Sequence, residues 1–197
     1  MKPFVNNPPQ TGQLRIIGGE WRGRKLLFPA VADLRPTPDR VRETLFNWLQ
    51  MQIADSRCLD LFAGSGALGL EALSRGAREV VMVEQERSAA AQIRQHLQTL
   101  NCTNGRVESS DVLRFLQSAG TPHNVVFIDP PYRLNLLASC CQLLEQNGWL
   151  AEHAYIYLED NAKNGTPELP DHWQLVRSKK AGDVGYHLAQ RQTVATA

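Results

Sequence analysis

Short apolar runs alternate with amphipathic helical stretches along most of this chain, and the alternation points to one fold class. After a first strand that begins at Arg57, the predicted strands are 79–84, 107–110, 124–129 and 154–159, and the helices between them are 88–100, 112–117 and 134–145. Strands separated by helices of this length predict βαβ units, hence a parallel sheet covered on both faces.

The last part of the chain has a different pattern. Residues 173–179 and 186–190 are two further apolar-bearing runs, joined through 182–185 with two glycines. A connection this short predicts an antiparallel pair. With these two, seven strands are predicted. The expected fold is therefore α/β, with a mostly parallel seven-stranded sheet and helices on both faces.

Two short runs near the N-terminus, 13–17 and 24–28, predict a β-hairpin joined through 18–23. Basic residues and one tryptophan, expected to be exposed, occupy it. Such a surface suits single-stranded or looped RNA, whose phosphates need neutralising and whose bases need a stacking partner. The alternative is a solvated edge hairpin whose charges discourage sheet pairing. The candidate RNA-contacting residues are Arg15, Trp21, Arg22, Arg24, Lys25 and, in the following connector, Arg35.

Residues 34–38 form a proline-stiffened connector, and a helix then starts with Pro38 in its first turn. Arg35, Arg40 and Arg42 cluster near the start of this helix. Thr37 either contacts a ligand through its hydroxyl or caps the helix. The expected organisation is a mobile tail at 1–12, a hairpin extension at 13–36 and one larger domain at 37–197.

The stretch from Arg57 to Gly69 predicts a strand, a tight turn and a helix. Gly64, Gly66 and Gly69 fit G-x-G-x-x-G, a spacing that lets the backbone approach a ligand and directs a helix N-terminus at it. Dinucleotide-binding folds and S-adenosylmethionine (AdoMet) methyltransferases share this spacing. Asp60, four residues before the first glycine, is a candidate partner for the ammonium group of AdoMet.

Acidic residues follow successive predicted strands. Asp60, Glu84, Asp111 and Asp129 each fall at a strand end, so the fold should gather them at one edge of the sheet. Glu84 lies 20 residues after Gly64, the separation at which an acid reaches ribose hydroxyls. Asp111 is a candidate acceptor for an adenine amino group, with Val112 stacking nearby.

The motif Asp129-Pro130-Pro131-Tyr132 carries the candidate chemistry. The lone pair of an exocyclic amine on a base is delocalised into the ring, so methylation requires it to be reoriented. The Asp129 carboxylate and the Pro130 carbonyl can accept the two N–H groups, and the carboxylate stabilises the positive charge that develops on nitrogen. Two prolines keep the turn rigid. Tyr132 offers a face on which an extruded base can stack.

Composition adds few constraints. With 43% apolar residues and a net charge of +1, the 197 residues are typical of one globular domain, but residues 13–42 carry seven Lys or Arg against three Asp or Glu. Cys58, Cys102, Cys140 and Cys141 show no metal-ligand spacing, so no metal site is expected. No apolar run approaches a membrane span, and a reduced, cytoplasmic location is expected.

Four stretches together resemble one known family. They are Arg-Ile-Ile-Gly-Gly-x-Trp-Arg-Gly-Arg-Lys-Leu at 15–26, Arg-Pro-Thr-Pro-Asp-Arg-Val-Arg-Glu-Thr-Leu-Phe-Asn-Trp-Leu at 35–49, Asp-Leu-Phe-Ala-Gly-Ser-Gly-Ala-Leu-Gly-Leu-Glu-Ala at 60–72 and Phe-Ile-Asp-Pro-Pro-Tyr at 127–132. The chain resembles the bacterial 16S ribosomal RNA guanine-N2 methyltransferase D family (RsmD) from about residue 13 to residue 190.

This resemblance implies a Rossmann-like, AdoMet-dependent methyltransferase with an N-terminal hairpin extension, acting on the N2 amine of a guanine in 16S ribosomal RNA (rRNA). It implies the assembled or partly assembled small ribosomal subunit as partner, and we expect a monomer. By the same resemblance, the target base is held by Asp129, Pro130 and Tyr132, and AdoMet by Gly64, Gly66, Glu84 and Asp111. The C-terminal Lys179-Lys180-Ala181-Gly182-Asp183 stretch matches the family only loosely.

Three other functions stay open at this point. A nicotinamide oxidoreductase would use the glycines and Glu84 but would leave the Asp129 motif without a role. An adenine-N6 methyltransferase acting on DNA or RNA would use the same tetrapeptide chemistry, although about 65 residues after Tyr132 leave no room for a DNA-reading domain. The third is a non-enzymatic RNA-binding assembly factor.

Overall fold

The structure is a computed structural model, and it describes residues 11–29 and 38–192 of the 197-residue chain. None of the helices in these two ranges has the length and apolar character that crossing a membrane requires. Thr37 and Arg35 fall outside the described residues, as do residues 1–10 of the expected tail.

Nine strands and five α-helices make up the described chain. In order they are β1 (Thr11–Arg15), β2 (Lys25–Pro29), α1 (Asp39–Trp48), β3 (Arg57–Asp60), α2 (Ala67–Ser74), β4 (Glu79–Val83), α3 (Arg87–Thr99), β5 (Gly105–Glu108), α4 (Val112–Leu116), β6 (His123–Ile128), α5 (Leu137–Gln146), β7 (Leu150–Asn161), β8 (Trp173–Ala181) and β9 (Val184–Arg191). Two short 3-10 helices, Tyr132–Leu134 and Ala162–Asn164, flank α5 and β7.

Seven of the strands form one sheet in the order β5-β4-β3-β6-β7-β9-β8. The pairs among β3, β4, β5, β6 and β7 are parallel, and β9 runs antiparallel to both of its neighbours. The fold predicted from the alternation of strands and helices is therefore confirmed. The strand order reverses between β3 and β6, which is where open α/β sheets bind ligands.

Side chains alternate between two apolar clusters, one on each face of the sheet. On β6, Val125 and Phe127 join the cluster that contains α1, α2 and α3, whereas Val126 and Ile128 join the cluster that contains α4 and α5. Strands buried on both faces read as continuous apolar runs, which explains why these strands were visible in the sequence.

The N-terminal hairpin β1–β2 forms a separate two-stranded sheet and packs on the end of α2. The Glu71 carboxylate, fully buried on α2, accepts the backbone N–H groups of Ile17 and Gly18, both at 2.8 Å. Ser74 Oγ accepts the Trp21 N–H at 3.0 Å and donates to the Gly18 carbonyl at 2.6 Å. These bonds fix the turn of the hairpin to the helix that follows the glycine loop.

This docking contradicts the expectation that Trp21 is exposed. The Trp21 side chain is 8% exposed and belongs to the same apolar cluster as Leu14 and Leu26. Because the turn is bonded to Ser74, the tryptophan is directed into the core, where a large ring buries the most apolar surface. Its ring is thus not available for stacking on a base.

Several element boundaries also differ from the prediction. The helix expected at 134–145 is α5, which starts at Leu137, because Asn135 adopts a left-handed conformation (φ 48°) that ends the preceding 3-10 turn. Strand β7 has twelve residues, twice the predicted length, and β1 begins at Thr11, inside the expected tail. Arg42, grouped by sequence with a basic cluster, is only 1% exposed.

Candidate active site

The carboxyl ends of four parallel strands bring the predicted acidic residues to one edge of the sheet. Asp60 ends β3, Glu84 follows β4, Asp111 follows β5 and Asp129 follows β6. Two backbone bonds tie the loop after β3 to its neighbours: Leu61 N–H donates to the Phe127 carbonyl at 3.1 Å, and Ala63 N–H to the Val83 carbonyl at 3.0 Å. The glycine loop and the Asp129 motif therefore lie on adjacent strand ends.

The glycines of this loop have two different roles. Gly64 and Gly66 adopt positive φ angles of 53° and 81°, which favour glycine, and Gly66 is the N-cap of α2 without a side-chain cap. Gly69 instead allows close packing, since a Cβ there would lie 2.5 Å from Met82 Cγ and Sδ on β4. The first two glycines shape a loop that a ligand can approach, and the third sets how closely α2 packs on the sheet.

Asp60 is buried under this loop. Its side chain is 2% exposed, and its Oδ2 accepts the Gly69 N–H at 3.0 Å. Burial raises the pKa of Asp60 to about 7, although the hydrogen bond from Gly69 opposes the shift. A charged group brought near Asp60 would therefore change its protonation at neutral pH.

Glu84 closes the other side of the loop. Its Oε2 accepts the Gly64 N–H and its Oε1 the Glu86 N–H, both at 2.7 Å. Desolvation of this half-buried carboxyl raises its pKa, while the two backbone donors act in the opposite direction. The 20-residue separation noted in the sequence thus corresponds to direct contact between Gly64 and Glu84.

Asp111 and Val112 begin α4. Asp111 is exposed and is the N-cap, and its Oδ1 accepts the Arg114 N–H at 2.9 Å. Val112 is 5% exposed and packs in the cluster formed with α4 and α5. In this structure Asp111 caps α4, and Val112 packs the first turn of α4 into the apolar cluster.

The Asp129 motif leaves β6 as an extended turn. Asp129 is partly exposed and Pro130 is buried, and the following 3-10 turn uses the carbonyls of Pro131 and Tyr132 as its acceptors. The hydrogen-bonded turn thus begins one residue after Pro130. The half-buried Tyr132 donates its phenolic O–H to Glu159 Oε1 at 2.9 Å.

Glu159 is the functional candidate that sequence reasoning missed. It lies on β7, is 4% exposed, and its Oε2 accepts the Tyr157 O–H at 2.7 Å. Asp129 lies next to Glu159, because the two residues directly follow Ile128 and Leu158, which pair between β6 and β7. Hydrogen bonding with Asp129 is one of the causes that lower the pKa of Glu159. Burial is the main cause that raises the pKa of Glu159. The rule that selected Glu84, an acid at the end of an apolar strand, applies equally to Glu159.

The hairpin presents a basic surface that is separate from its buried tryptophan. Arg15, Arg22, Arg24 and Lys25 are exposed, and Arg15 pairs with Lys25 across the two strands on the outward face. Like charges directly opposite each other destabilise a hairpin, so a bound anion would stabilise this face.

The residues around the glycine loop fit the positive charge of AdoMet. Two carboxyl groups, Asp60 and Glu84, flank a loop whose backbone is opened by Gly64 and Gly66. Within residues 11–29 and 38–192, no three His, Cys, Asp or Glu side chains are grouped so as to hold a metal ion.

Comparison with known proteins agrees with this architecture. The family described as "Conserved hypothetical protein 95" matches residues 14–190. The chain is 55% identical over 186 residues to the ribosomal RNA small subunit methyltransferase D of Escherichia coli K12, covering 94% of each protein, and 46% identical over 190 residues to that of Haemophilus influenzae, covering 94% of this chain and 98% of the relative. A solved structure titled as the putative methyltransferase yhhF from Escherichia coli superposes with a TM-score of 0.85 at 52% identity, covering 93% of this chain and all of that one.

These matches extend over nearly the whole chain and include both the hairpin and the seven-stranded sheet. The protein therefore belongs to the ribosomal RNA small subunit methyltransferase D family, and its fold is that of a methyltransferase.

Proposed function

We propose that this protein transfers a methyl group from AdoMet to the exocyclic N2 amine of a guanine in 16S rRNA. The observation that carries the proposal is the placement of the Asp129 motif on the strand end next to the glycine loop, joined to it by the Leu61–Phe127 backbone bond. The relatives' name, ribosomal RNA small subunit methyltransferase D, supports rRNA as the substrate. The choice of guanine N2 rests on the family resemblance.

The cofactor-binding part of the proposal assigns residues around the loop. Gly64 and Gly66 let the backbone lie against AdoMet, Glu84 accepts its ribose hydroxyls, and Asp60 lies beneath the loop as a counter-charge for the ammonium group. Bound AdoMet would supply an electrophilic methyl group. Asp111 and Val112 remain candidates for contact with the adenine of AdoMet. Thr37 remains a candidate for contact with the ligand through its hydroxyl.

The chemical step depends on how the chain presents the amine. The Asp129 carboxyl and the Pro130 carbonyl accept its two N–H groups, which directs the nitrogen lone pair away from them. As nitrogen gains positive charge, Asp129 stabilises it electrostatically in a partly desolvated site. Tyr132, which is held by Glu159, supplies the stacking face for the extruded base.

Substrate binding is assigned to the basic hairpin. Arg15, Arg22, Arg24 and Lys25 face outward and would contact RNA phosphates, with Arg35 following them in the chain. Trp21 is withdrawn from this set because it is buried. The proposal includes the division into tail, hairpin extension and methyltransferase domain, a monomeric enzyme in the cytoplasm, and the small subunit or its assembly intermediate as partner.

The decisive test is mass spectrometry of 16S rRNA from a strain that lacks the protein. One N2-methylguanosine should disappear relative to the parent, return when the protein is supplied, and stay missing with Asp129→Ala. The purified Asp129→Ala variant should still bind AdoMet, which shows that it is folded. A lost N6-methyladenine would instead indicate adenine chemistry, and full function of Asp129→Ala would indicate an assembly factor.

A further inference from the structure

Four polar side chains are joined behind the amine-binding position. Glu159 receives hydrogen bonds from Tyr132 at 2.9 Å and from Tyr157 at 2.7 Å. Asp129 lies beside it, because Asp129 and Glu159 directly follow Ile128 and Leu158, which pair on the adjacent parallel strands β6 and β7. Asp129 and Tyr132 belong to the motif that holds the base, whereas Glu159 and Tyr157 come from β7. One buried carboxyl thus connects the group proposed to accept the amine with the group proposed to stack on the base.

We propose that Glu159 is a positioning residue for methyl transfer: it orients Tyr132 through one carboxyl oxygen and Asp129 through a proton that the two carboxyl groups share. The inference rests on the proposed function and deepens it. Glu159 is 4% exposed and lies behind the motif, so it acts through Asp129 and Tyr132 and does not itself touch the base.

The shared proton follows from the chemistry of carboxyl groups. An ionised carboxylate has only acceptors, so two carboxyl groups can hydrogen-bond to each other only when one proton lies between them. The Asp129–Glu159 pair therefore carries one negative charge and one proton, and its titration belongs to the pair rather than to either residue. Burial raises the pKa of Glu159, and hydrogen bonding with Asp129 opposes that shift because it favours the charged form of Glu159.

The surroundings of Glu159 contribute hydrogen-bond donors and further acids. Tyr186 lies directly opposite Glu159 on β9, and Lys179 lies opposite Tyr186 on β8. Asp160 adds negative charge near Tyr132. Titratable groups on β7, β8, β9 and the turn after β6 surround the carboxyl: Asp129, Tyr132, Tyr157, Asp160, Tyr186, His187 opposite the neighbouring Leu158 and, two strands away, Lys179.

Loss of the shared proton should impair the site. Two adjacent carboxylates repel each other, so deprotonation would move Asp129 away from the amine and would disturb the oxygen that orients Tyr132. The wild-type kcat should therefore fall at high pH with one ionisation that belongs to the pair. In Glu159→Gln the amide donates permanently to Asp129, and the net charge equals that of the singly protonated pair.

The experiment measures kcat and KM against pH for methyl transfer to 16S rRNA. Glu159→Gln should lower kcat by no more than about tenfold, because one tyrosine O–H loses its acceptor, and should lack the wild-type fall at high pH. Glu159→Ala should lower kcat by about 10²-fold through misplacement of Asp129 and Tyr132. AdoMet affinity and the KM for RNA should stay within about twofold in both variants, less than one neutral hydrogen bond contributes.

Asp160→Asn is the matched control. It removes one carboxylate from the next position of β7, where Asp160 bonds to the Asn161 N–H and to Asn164 Nδ2, and it should keep the wild-type pH profile. Tyr157→Phe is the second variant, and it is informative even if Glu159→Gln does not fold. It removes one donor from Glu159, so the high-pH limb should move to higher pH.

A measurement that does not depend on activity separates this inference from the proposed function. In protein labelled with carboxyl-¹³C glutamate, the Glu159 signal, identified by its loss in Glu159→Gln, should titrate above the ordinary range for glutamate. Titration at an ordinary pH, or a Glu159→Gln profile that matches wild type, would overturn the inference. Wild-type protein that does not methylate rRNA would overturn the proposed function. The Glu159 titration would still test the shared proton, because it does not depend on activity.

Discussion

The Glu71 carboxylate on α2 accepts the backbone N–H of Ile17 in the N-terminal hairpin at 2.8 Å, across 54 residues of sequence. The same fully buried carboxylate forms ion pairs with Arg75 at 2.7 Å and with Arg42 at 3.6 Å. Arg42 in turn bonds the Arg15 carbonyl at 2.9 Å. One side chain thus joins the hairpin, α1 and α2, and α2 begins at the glycine loop.

Replacing Glu71 should therefore destabilise the whole protein. Glu71→Gln removes the buried carboxylate that pairs with Arg75 and Arg42 and accepts two hairpin N–H groups. Arg42 keeps its 2.6 Å ion pair with the more exposed Asp39, but breaking a buried ion pair typically costs about 3–5 kcal/mol. Urea unfolding measures this loss, and limited proteolysis of the hairpin shows whether it undocks first. Glu79→Gln is the control, since Glu79 pairs with Arg57 near the surface, where the effect should stay below about 1 kcal/mol. Equal losses in the two variants would contradict the docking role.

The exposed arginines of the hairpin turn should set the salt dependence of RNA binding. Charge reversal at Arg22 and Arg24 removes two phosphate contacts, so the slope of log K against log salt should fall by about 1.4 for single-stranded RNA. AdoMet affinity should stay unchanged, because the turn lies away from the loop that holds AdoMet. Binding titrations at several salt concentrations give the slope.

A matched reversal tests whether position or net charge is responsible. Arg57→Glu with Arg106→Glu changes the charge by the same amount at the starts of β3 and β5, the sheet edge opposite the site. That pair should leave the salt slope close to the wild-type value. A slope that responds equally to both reversals would show that overall charge, and not the hairpin, governs binding.

The sheet and the strand-end acids could be predicted from the sequence because both depend on local pattern. Parallel strands covered on both faces need apolar residues at every position, as in Val80–Val83 of β4, so each strand is visible on its own. The strand order then places Asp60, Glu84 and Asp129 together without further information. The Gly64–Glu84 contact is a direct consequence of two adjacent parallel strands.

What the sequence did not reveal depends on partners that are distant along the chain. Trp21 was expected to be exposed and Arg42 was grouped with a basic cluster, but contacts with Ser74 and Glu71 hold both residues in the interior. A residue's type does not indicate its burial when the deciding hydrogen bond comes from another element. The strand-end rule would have selected Glu159 as a candidate acid, but its contact with Tyr132 depends on β7 lying beside the turn that carries Tyr132.

Glu84 should contribute strongly to AdoMet affinity. Hydrogen bonds to a charged acceptor contribute about 1.5–3 kcal/mol, so Glu84→Ala should weaken AdoMet binding by roughly 10- to 100-fold. Isothermal titration calorimetry measures the affinity directly. Glu86→Gln is the control: it removes a carboxylate two residues away that caps α3, and it should leave AdoMet affinity near wild type. Retained affinity in Glu84→Ala would remove Glu84 from the cofactor site.

The buried Asp60 should make the stability of the free protein depend on pH. Its pKa is about 7 in the folded chain, against an ordinary value of 3.8, so between these values only the folded chain holds the proton. The proton stabilises the folded chain at low pH, and the free energy of unfolding should fall as pH rises from about 4 to about 7, by up to about 1.4 kcal/mol per pH unit. Asn at position 60 stays neutral and keeps an oxygen for the Gly69 N–H.

Asp60→Asn should therefore flatten this dependence, which urea unfolding at several pH values between 4.5 and 7.5 would measure. Asp183→Asn removes an exposed carboxylate between β8 and β9 and serves as the control, because a solvated acid there should not change the slope. An ammonium group near Asp60 favours the carboxylate, so binding of AdoMet to wild-type protein at pH 6 should release a proton. Calorimetry in buffers of different ionisation enthalpy detects that proton. If wild type and Asp60→Asn released the same number, the ammonium group would have to be neutralised elsewhere, and Asp60 would serve only to hold α2 against the sheet.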